Sequence, residues 1–211
     1  SQHIRPMGEA VPIKNLFVTP EENLLYTTNT AVFEFSKTGV RPKLIDEGYY
    51  NLLFRQEDKT FLFGTDKIKV VAPDSTYFIN SHRSIAIQPI ADRLILCKIS
   101  GLFQMDDSKI DTIPGLHPKS HNDFRSLDAI NKNEVLAGSE KKLYHIKLVN
   151  NEFKVKTFDM KRFPSLTQFR ALKVDGNNLW LAGRDMLLKV NLKLLLEKDT
   201  IVAMFNMFSG G

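Results

Sequence analysis

The sequence predicts an all-β fold of the β-propeller type, with about five blades of antiparallel strands. The 211 residues contain 15 Phe and many Val, Ile and Leu in short runs, a composition that favours strands over helices. A unit of roughly 40 residues recurs along the chain, and each unit holds several short apolar runs separated by polar turns. Propeller blades have this period and this pattern of short strands, whereas helical repeats would show apolar residues at helical spacing.

The repeat is clearest in the second half of the chain. Residues 124–129 and 136–139 read FRSLDA and LAGS, and residues 169–174 and 181–184 read FRALKV and LAGR, 45 positions later. Three looser copies lie upstream. We take as equivalent the residues at the end of the second strand of each unit, which gives spacings of 37, 33, 41 and 45 residues between Thr28, Thr65, Lys98, Ser139 and Arg184.

The predicted blades cover residues 13–46, 50–80, 84–114, 124–160 and 169–207 of one domain that spans 1–211. In each blade the first strand is short and apolar, the second ends in a small residue, the third alternates and a more polar fourth strand lies outside. Gly138 and Gly183 are expected where neighbouring sheets approach most closely. A tight hairpin is expected at 175–178, where the sequence is DGNN.

Two further elements are expected in the last blade. The apolar spacing at 191–198 predicts one short helix that Asn191 caps. Residues 201–205 are predicted to form the final outer strand, for which the segment 4–11 is a poor partner. If the ring does not close within this chain, so that it is a partial propeller, its end blades must pack on further sequence or on another subunit.

Composition and charge exclude several classes of protein. The formal net charge is +5, but Lys and Arg are scattered singly or in pairs, without the basic stripe that is typical of nucleic-acid binding. A single cysteine, Cys97, allows neither an intrachain disulfide nor a zinc site built on several thiolates, and a buried, inert thiol is expected. No apolar stretch is long enough to span a membrane, and residues 1–6 lack the apolar core of a signal peptide.

Residues 174–190 read VDGNNLWLAGRDMLLKV and resemble the two-component-regulator propeller repeat, with weaker copies at 131–139 and 59–65. Such repeats form extracytoplasmic sensor regions of bacterial hybrid histidine kinases, and similar repeats occur in streptogramin lyase-like enzymes. The resemblance therefore implies a sensor domain in signal transduction, outside the cytoplasm, that receives a carbohydrate or a similar signal. Without that role, a cytoplasmic location is expected. Five blades are fewer than the seven typical of that family, which implies a compact variant or part of a larger polypeptide.

Propellers usually bind ligands on the face formed by two kinds of loop, those between the second and third strands and those between blades. We expect a soluble polar ligand such as an oligosaccharide, or a protein partner, on this face, without a cofactor or a metal ion. The candidate ligand-binding residues are Tyr49, Asp66, Lys67, His82, Arg83, His121, Lys141, Lys142, Arg184 and Asp185.

Other conspicuous side chains have simpler explanations. His117 and His121 are spaced like a metal-binding pair, but Pro118 between them breaks the helical geometry that this spacing requires. His145 lies in a predicted strand and is expected to be a structural or surface imidazole. Trp180 is expected in a blade core. No nucleophile elbow, phosphate-binding glycine loop or zinc-protease motif is present.

The leading hypothesis is therefore a non-catalytic sensor or receptor domain that binds a ligand. A protein-interaction scaffold, alone or as a homodimer, is the first alternative. The second alternative is a propeller-type lyase or hydrolase, in which His82, His121 or His145 would have to converge with an acidic partner.

Overall fold

The computed structural model of the protein describes residues 12–106, 109–114, 116, 124–163, 166 and 168–207. It contains five four-stranded antiparallel sheets, and in each sheet the strands follow one another in chain order. The predicted all-β, blade-type fold is thereby confirmed. The chain divides into two compact units, residues 1–83 and 84–211, which we describe separately. One domain over 1–211 stays a prediction.

The first unit contains sheets 1 and 2. Sheet 1 comprises β1 (Asn15–Val18), β2 (Leu24–Thr27), β3 (Ala31–Phe35) and β4 (Lys43–Glu47). Sheet 2 comprises β5 (Leu52–Gln56), β6 (Lys59–Phe63), β7 (Lys67–Ala72) and β8 (Ser75–Asn80).

The second unit contains sheets 3, 4 and 5. Sheet 3 comprises β9 (Ala86–Ile90), β10 (Arg93–Lys98), β11 (Gly101–Asp106) and β12 (Lys109–Thr112). Sheet 4 comprises β13 (Phe124–Asn131), β14 (Glu134–Ser139), β15 (Lys142–Val149) and β16 (Glu152–Asp159), followed by a 3-10 helix (Met160–Arg162). Sheet 5 comprises β17 (Ala171–Asp175), β18 (Asn178–Ala182), β19 (Met186–Asn191) and β20 (Ala203–Met207), with helix α1 (Leu192–Lys198) between its last two strands.

The two sheets of the first unit pack through alternate apolar residues. Leu25 and Val32 of sheet 1 form a buried cluster with Leu53 and Leu62 of sheet 2. Farther out, two ion pairs join the same sheets, with Nη1 of Arg55 2.9 Å from Oε1 of Glu34 and Nζ of Lys69 2.5 Å from Oδ1 of Asp46. Burial of the apolar cluster supplies the main driving force, because desolvation largely offsets the Coulombic gain of ion pairs whose side chains are only 14 to 27% exposed.

Sheet 4 packs on sheet 3 with one face and on sheet 5 with the other. Ala137 and Cys97 belong to the first buried cluster, and Leu136 and Leu181 belong to the second. Gly138 lies at the contact with sheet 5, where an added Cβ would stand only 2.2 Å from Cζ of Phe169. The expected close approach at Gly138 is therefore confirmed, since no larger residue fits without moving that ring.

The local predictions for the last blade are confirmed. Helix α1 begins after Asn191, whose side chain accepts a hydrogen bond from the amide of Leu194. The last strand, β20, pairs with β19 as expected, but it begins at Ala203, two residues later than predicted. The hairpin between β17 and β18 has a two-residue turn, in which Gly176 adopts a φ of 55°.

The predicted equivalence of the repeats is wrong by one residue in two sheets. The loop between the second and third strands begins at Gly64 in sheet 2 and at Gly183 in sheet 5, one residue before Thr65 and Arg184. In both sheets the amide of that glycine bonds to the carbonyl three residues later, as the amide of Thr28 does in sheet 1. The identical residues LAG in sheets 4 and 5 are not structurally equivalent. A β-bulge between Ala129 and Asn131 adds one residue to the first hairpin of sheet 4 and shifts the LAG of that sheet by one position.

Trp180 does not occupy a blade core as expected. It is half-buried on the side of sheet 5 opposite Leu179 and Leu181, and Nζ of Lys189 lies 5.3 Å from the centre of its ring. The reason is the two-residue period of a strand, which places Trp180 and its leucine neighbours on opposite faces.

Candidate functional site

The strongest candidate site lies in the second unit, where a buried hydroxyl folds the loop between β14 and β15. The hydroxyl of Ser139 accepts hydrogen bonds from the amides of Lys141 and Lys142, at 3.4 and 3.0 Å, and donates to the carbonyl of Lys142 at 3.0 Å. Thr28 forms the same bonds with Ala31 in sheet 1. This turn chemistry uses the backbone polar groups, so the two lysine side chains extend into solvent.

The segment that follows β16 forms the opposite wall of the site. The carboxylate of Asp159 accepts a hydrogen bond from the amide of Lys161 at 2.9 Å and caps the 3-10 helix. The amide of Met160 donates to the carbonyl of Lys141 at 2.8 Å, which holds the two walls together. Phe163 is 2% exposed and anchors this wall in the core shared by sheets 4 and 5.

Between these walls lies a cleft of about 620 Å³, which we call the loop cleft. It is lined by Glu140, Lys141, Lys142, Asp159, Met160, Lys161, Phe163 and Leu166. Nη2 of Arg125 lies 3.7 Å from Oε1 of Glu140, and Asp159 is engaged in the cap, so both acidic groups already have partners. The three lysines are exposed and give the rim a positive potential that suits an anionic group.

Two of the predicted ligand-binding residues, Lys141 and Lys142, thus line one cleft, although Lys142 is the first residue of β15 and not a loop residue. Arg184 and Asp185 occupy the corresponding loop of sheet 5, are exposed and do not line the loop cleft. Their side chains approach each other only to 3.9 Å. His121 lies outside the described residues, as does His117.

The remaining predicted residues belong to the first unit and lie around one end of sheet 2. The amide of Ser81 donates to the carbonyl of Asp66 at 3.1 Å and brings the exposed His82 and Arg83 towards that loop. Lys67 was predicted in the loop but opens β7, where its Nζ lies 4.7 Å from the centre of the Phe78 ring. The strand pairing of Lys67 with Asn80 explains this placement. Tyr49, between sheets 1 and 2, is 50% exposed.

Asp128 was not recognised from the sequence. It is 5% exposed on β13, and its carboxylate accepts hydrogen bonds from the amide of Val174 at 2.7 Å, Nζ of Lys173 at 3.1 Å and Nε2 of Gln88 at 3.2 Å. One carboxylate therefore joins the first strands of sheets 3, 4 and 5. The repeat places Lys173 at the position of Asp128 in the next copy, and this change of charge sign was the available signal.

A second polar cluster lies on the face of sheet 4 towards sheet 5. Oε2 of Glu134 is 2.8 Å from Nε2 of His145, and Oε1 is 2.8 Å from Nζ of Lys147. Burial opposes ionisation of Glu134, but the hydrogen bonds and charges of Lys147 and His145 outweigh it and lower the pKa of this carboxyl. The cluster borders an open pocket of about 500 Å³, whose other wall is helix α1. Cross-strand pairing of β14 with β15 accounts for the cluster, as expected for a structural imidazole.

Buried ionisable groups occur at the end of β10. Burial raises the pKa of the Cys97 thiol to about 12, which agrees with the expected inert cysteine. Burial also lowers the pKa of Lys98, whose Nζ lies 4.6 Å from the centre of the Phe103 ring. Among the described residues, no group of three His, Cys, Asp or Glu side chains is placed to hold a metal ion. In the same part of the chain, no helix is both long enough and apolar enough to cross a membrane.

No protein-family model matches the chain, and no curated protein matches it in sequence. Its fold is similar to solved structures at low identity. Streptogramin B lyase is 12% identical with a TM-score of 0.65, over 94% of this chain and 70% of that chain. Hsv2 of Kluyveromyces marxianus is 12% identical with a TM-score of 0.60, over 98% of this chain and 74% of that chain. PorZ, a surface component of the type-IX secretion system of Porphyromonas gingivalis, is 10% identical with a TM-score of 0.67, over 93% of this chain and 28% of that chain. At these identities the likeness shows the fold, and the fold is of the propeller type.

Proposed function

We propose that the protein is a non-catalytic binding module, and that the loop cleft receives a polypeptide segment with acidic side chains. The observation that carries the proposal is the arrangement of Lys141, Lys142 and Lys161 around a cleft that Met160 and Leu166 also line. Ammonium groups on flexible stems attract carboxylates, while the apolar walls accommodate aliphatic side chains. A peptide that alternates acidic and apolar residues satisfies both features.

The cleft suits a polypeptide better than a sugar. Oligosaccharides are commonly held by stacking on an exposed aromatic ring, but Phe163 is 2% exposed. In the described lining, it is the one aromatic residue. The sensor role implied by the repeat resemblance is part of this proposal, since a peptide captured at the loop cleft can serve as its signal.

The absence of catalysis is likewise proposed. His145, one of the three histidines that a lyase or hydrolase of this fold would use, shares its acidic partner Glu134 with Lys147 in a cross-strand network. Such a network has a structural explanation. Turnover of a substrate that is abolished by His145→Ala and retained by His82→Ala would contradict the proposal and favour an enzyme.

The test is fluorescence anisotropy with a fluorescein-labelled peptide of alternating Glu and Leu. The triple variant Lys141→Glu, Lys142→Glu and Lys161→Glu is expected to bind at least about tenfold more weakly than the wild type, or about 1.4 kcal/mol. Added salt is expected to weaken wild-type binding, because exposed charges are screened.

The matched control is Lys43→Glu, Lys132→Glu and Lys154→Glu, which changes three exposed lysines away from the cleft. Each triple variant lowers the formal net charge from +5 by six units, to −1, so non-specific attraction falls equally in both. An equal loss of affinity in the two variants would contradict a site at the loop cleft. A selective rise in melting temperature with one oligosaccharide, and none with the peptide, would contradict the polypeptide ligand.

A further inference from the structure

One face of sheet 1 carries apolar residues on all four strands. Direct cross-strand pairing aligns the row Leu16, Tyr26, Phe33 and Leu44 and the row Val18, Leu24 and Phe35. We call these seven residues the open face. None of them carries a charge, and Leu16, Val18 and Leu44 are 51, 59 and 48% exposed.

The opposite face of sheet 1 shows what a covered face looks like in this protein. Leu25 and Val32 on that face are completely buried against sheet 2. Both faces belong to the same sheet, so the exposure of the open face is specific to that face. An extended apolar patch of this kind on a folded protein marks an interaction surface.

The corresponding side of three other sheets is covered by a neighbouring sheet. Tyr26 lies two residues before the loop that begins at Thr28, and Leu62, Ala137 and Leu181 occupy the same place in sheets 2, 4 and 5. All three are 0% exposed and pack on the preceding sheet of their own unit. The open face therefore has the residue pattern of a face that packs on another sheet.

Charge decides which kind of sheet can cover the open face. The outward side of sheet 5 carries Lys173 and Lys189, and Lys189 lies over the ring of Trp180, so that side is adapted to water. Burying its ammonium groups against seven uncharged side chains would leave them without compensation. The seven residues of the open face are uncharged and match a second open face, and the exposed Glu47, paired with Ala31, lies at the end of the same side of the sheet.

We propose that the open face is an interface between two copies of this chain, packed sheet on sheet about a twofold axis. A twofold contact uses the same patch on both subunits, which an uncharged, self-complementary surface permits. Tyr26 and Phe33, stacked with ring centres 5.4 Å apart, form a preformed aromatic centre of the kind that dominates binding energy. This proposal is independent of the loop cleft and of its ligand.

Sedimentation velocity between about 1 and about 100 µM protein tests the proposal. The wild type is expected to form dimers within this range. The double variant Val18→Lys and Leu44→Lys, which changes two exposed residues of the open face, is expected to raise the dimer dissociation constant by at least about 100-fold. The control Val40→Lys and Ile99→Lys adds the same charge at sites that are 92 and 60% exposed and lie outside the open face, and it is expected to dimerise like the wild type.

A milder pair, Val18→Thr and Leu44→Thr, keeps the strand propensity and guards against loss of folding. We expect it to weaken the dimer by about tenfold, with an unchanged circular dichroism spectrum. A wild type that stays monomeric over the whole range would overturn the proposal and leave a sheet of a different polypeptide segment as the occupant. Dimers that persist in both open-face variants would overturn it as well.

Discussion

At the scale of single residues, the carboxylate of Asp128 accepts hydrogen bonds from three other residues. Its buried carboxylate is the acceptor for the amide of Val174 and for the side chains of Lys173 and Gln88. Removing a buried acceptor leaves its donors without a partner, which costs more than the hydrogen bonds themselves contribute. We expect Asp128→Ala to lower the free energy of unfolding by about 3 kcal/mol in urea titrations.

Two variants delimit this prediction. Asp128→Asn keeps one oxygen acceptor and is expected to be less destabilising than the alanine variant. Asp185→Ala removes an exposed carboxylate whose only neighbouring charge, among the described residues, lies 3.9 Å away, and it is expected to change stability by less than about 0.5 kcal/mol. Equal unfolding midpoints for Asp128→Ala and Asp185→Ala would show that the buried carboxylate does not stabilise the fold.

Gly138 tests how closely sheets 4 and 5 approach. In Gly138→Ala, the new Cβ would meet Cζ and Cε1 of Phe169 at 2.2 and 2.5 Å, so the ring must move within a packed core. Overpacking of this kind is expected to cost about 2 kcal/mol of unfolding free energy. In a Phe169→Leu background the same substitution is expected to cost less, because the clashing ring is gone. Additive effects in this double-mutant cycle would contradict the proposed contact.

At the scale of elements, the ladder of β14 and β15 is expected to give stability a specific pH dependence. The pKa of Glu134 is lower in the folded protein than its ordinary value, so its contribution is fully present above the unfolded-state pKa. That contribution is lost as the pH falls through the folded-state pKa. We therefore expect Glu134→Gln to be less stable than the wild type at pH 7 by about 1 kcal/mol.

The measurement is urea unfolding of both proteins between about pH 7 and about pH 3, a range that brackets the ordinary glutamate pKa. The difference in unfolding free energy is expected to shrink below about pH 4.5, as Glu134 becomes protonated and neutral like the glutamine. If the difference in unfolding free energy stays constant over this range, the charge of Glu134 does not contribute to its interaction with Lys147 and His145.

The side chain of Asn191 caps helix α1, and the side chain of Asn177 accepts a further hydrogen bond from the amide of Lys193. The side chain of Asn191 accepts from the amide of Leu194 at 3.0 Å, and seven residues are too few for a helix to persist by intrinsic propensity alone. Asn191→Ala is expected to lower the unfolding free energy by about 1 kcal/mol, and Asn191→Ser is expected to retain most of it. Thermal unfolding of the three proteins compares them, and similar losses for alanine and serine would argue against the cap.

Elements with a local cause could be predicted from the sequence, whereas features set by register could not. Asn191 followed by a helical spacing of leucines identified α1, and DGNN identified the hairpin before β18. The loop starts at Gly64 and Gly183 were missed by one residue, because a bulge in β13 displaces matching letters relative to the ladder. A one-residue shift exchanges the two faces of a strand, so the surroundings of Trp180 were missed as well.

In the candidate site, too, residues that belong to the repeat could be predicted from the sequence, and residues outside it could not. Lys141 and Lys142 could be predicted because they follow the end of a repeated strand. Their companions, Lys161, Met160 and Leu166, come from the segment after β16, where no repeat pattern applies and only the fold brings them near. The role of Asp128 could not be predicted for a related reason, since its hydrogen-bond partners lie 40 and more residues away in sequence.

At the scale of the whole molecule, sheets 2 and 4 show the same gradient of burial from the second strand to the fourth. The second strands of sheets 2, 3 and 4 are almost completely buried, and each is paired with a strand on both sides. In the fourth strands of sheets 2 and 4 most residues are exposed, and among the described residues each of these strands pairs with one neighbour. Local opening requires little surface to be exposed at such edges, and much more at the second strands.

Amide hydrogen exchange followed by mass spectrometry should therefore resolve this gradient in both units. Peptides from β6 and β14 are expected to exchange at least about 100-fold more slowly than peptides from β8 and β16, because edge strands can open without global unfolding. The comparison of strands within one sheet controls for the stability of the unit as a whole. Equal exchange of β14 and β16 would mean that each sheet opens only as a single cooperative body, and the outer strands would then be as integral to the fold as the buried ones.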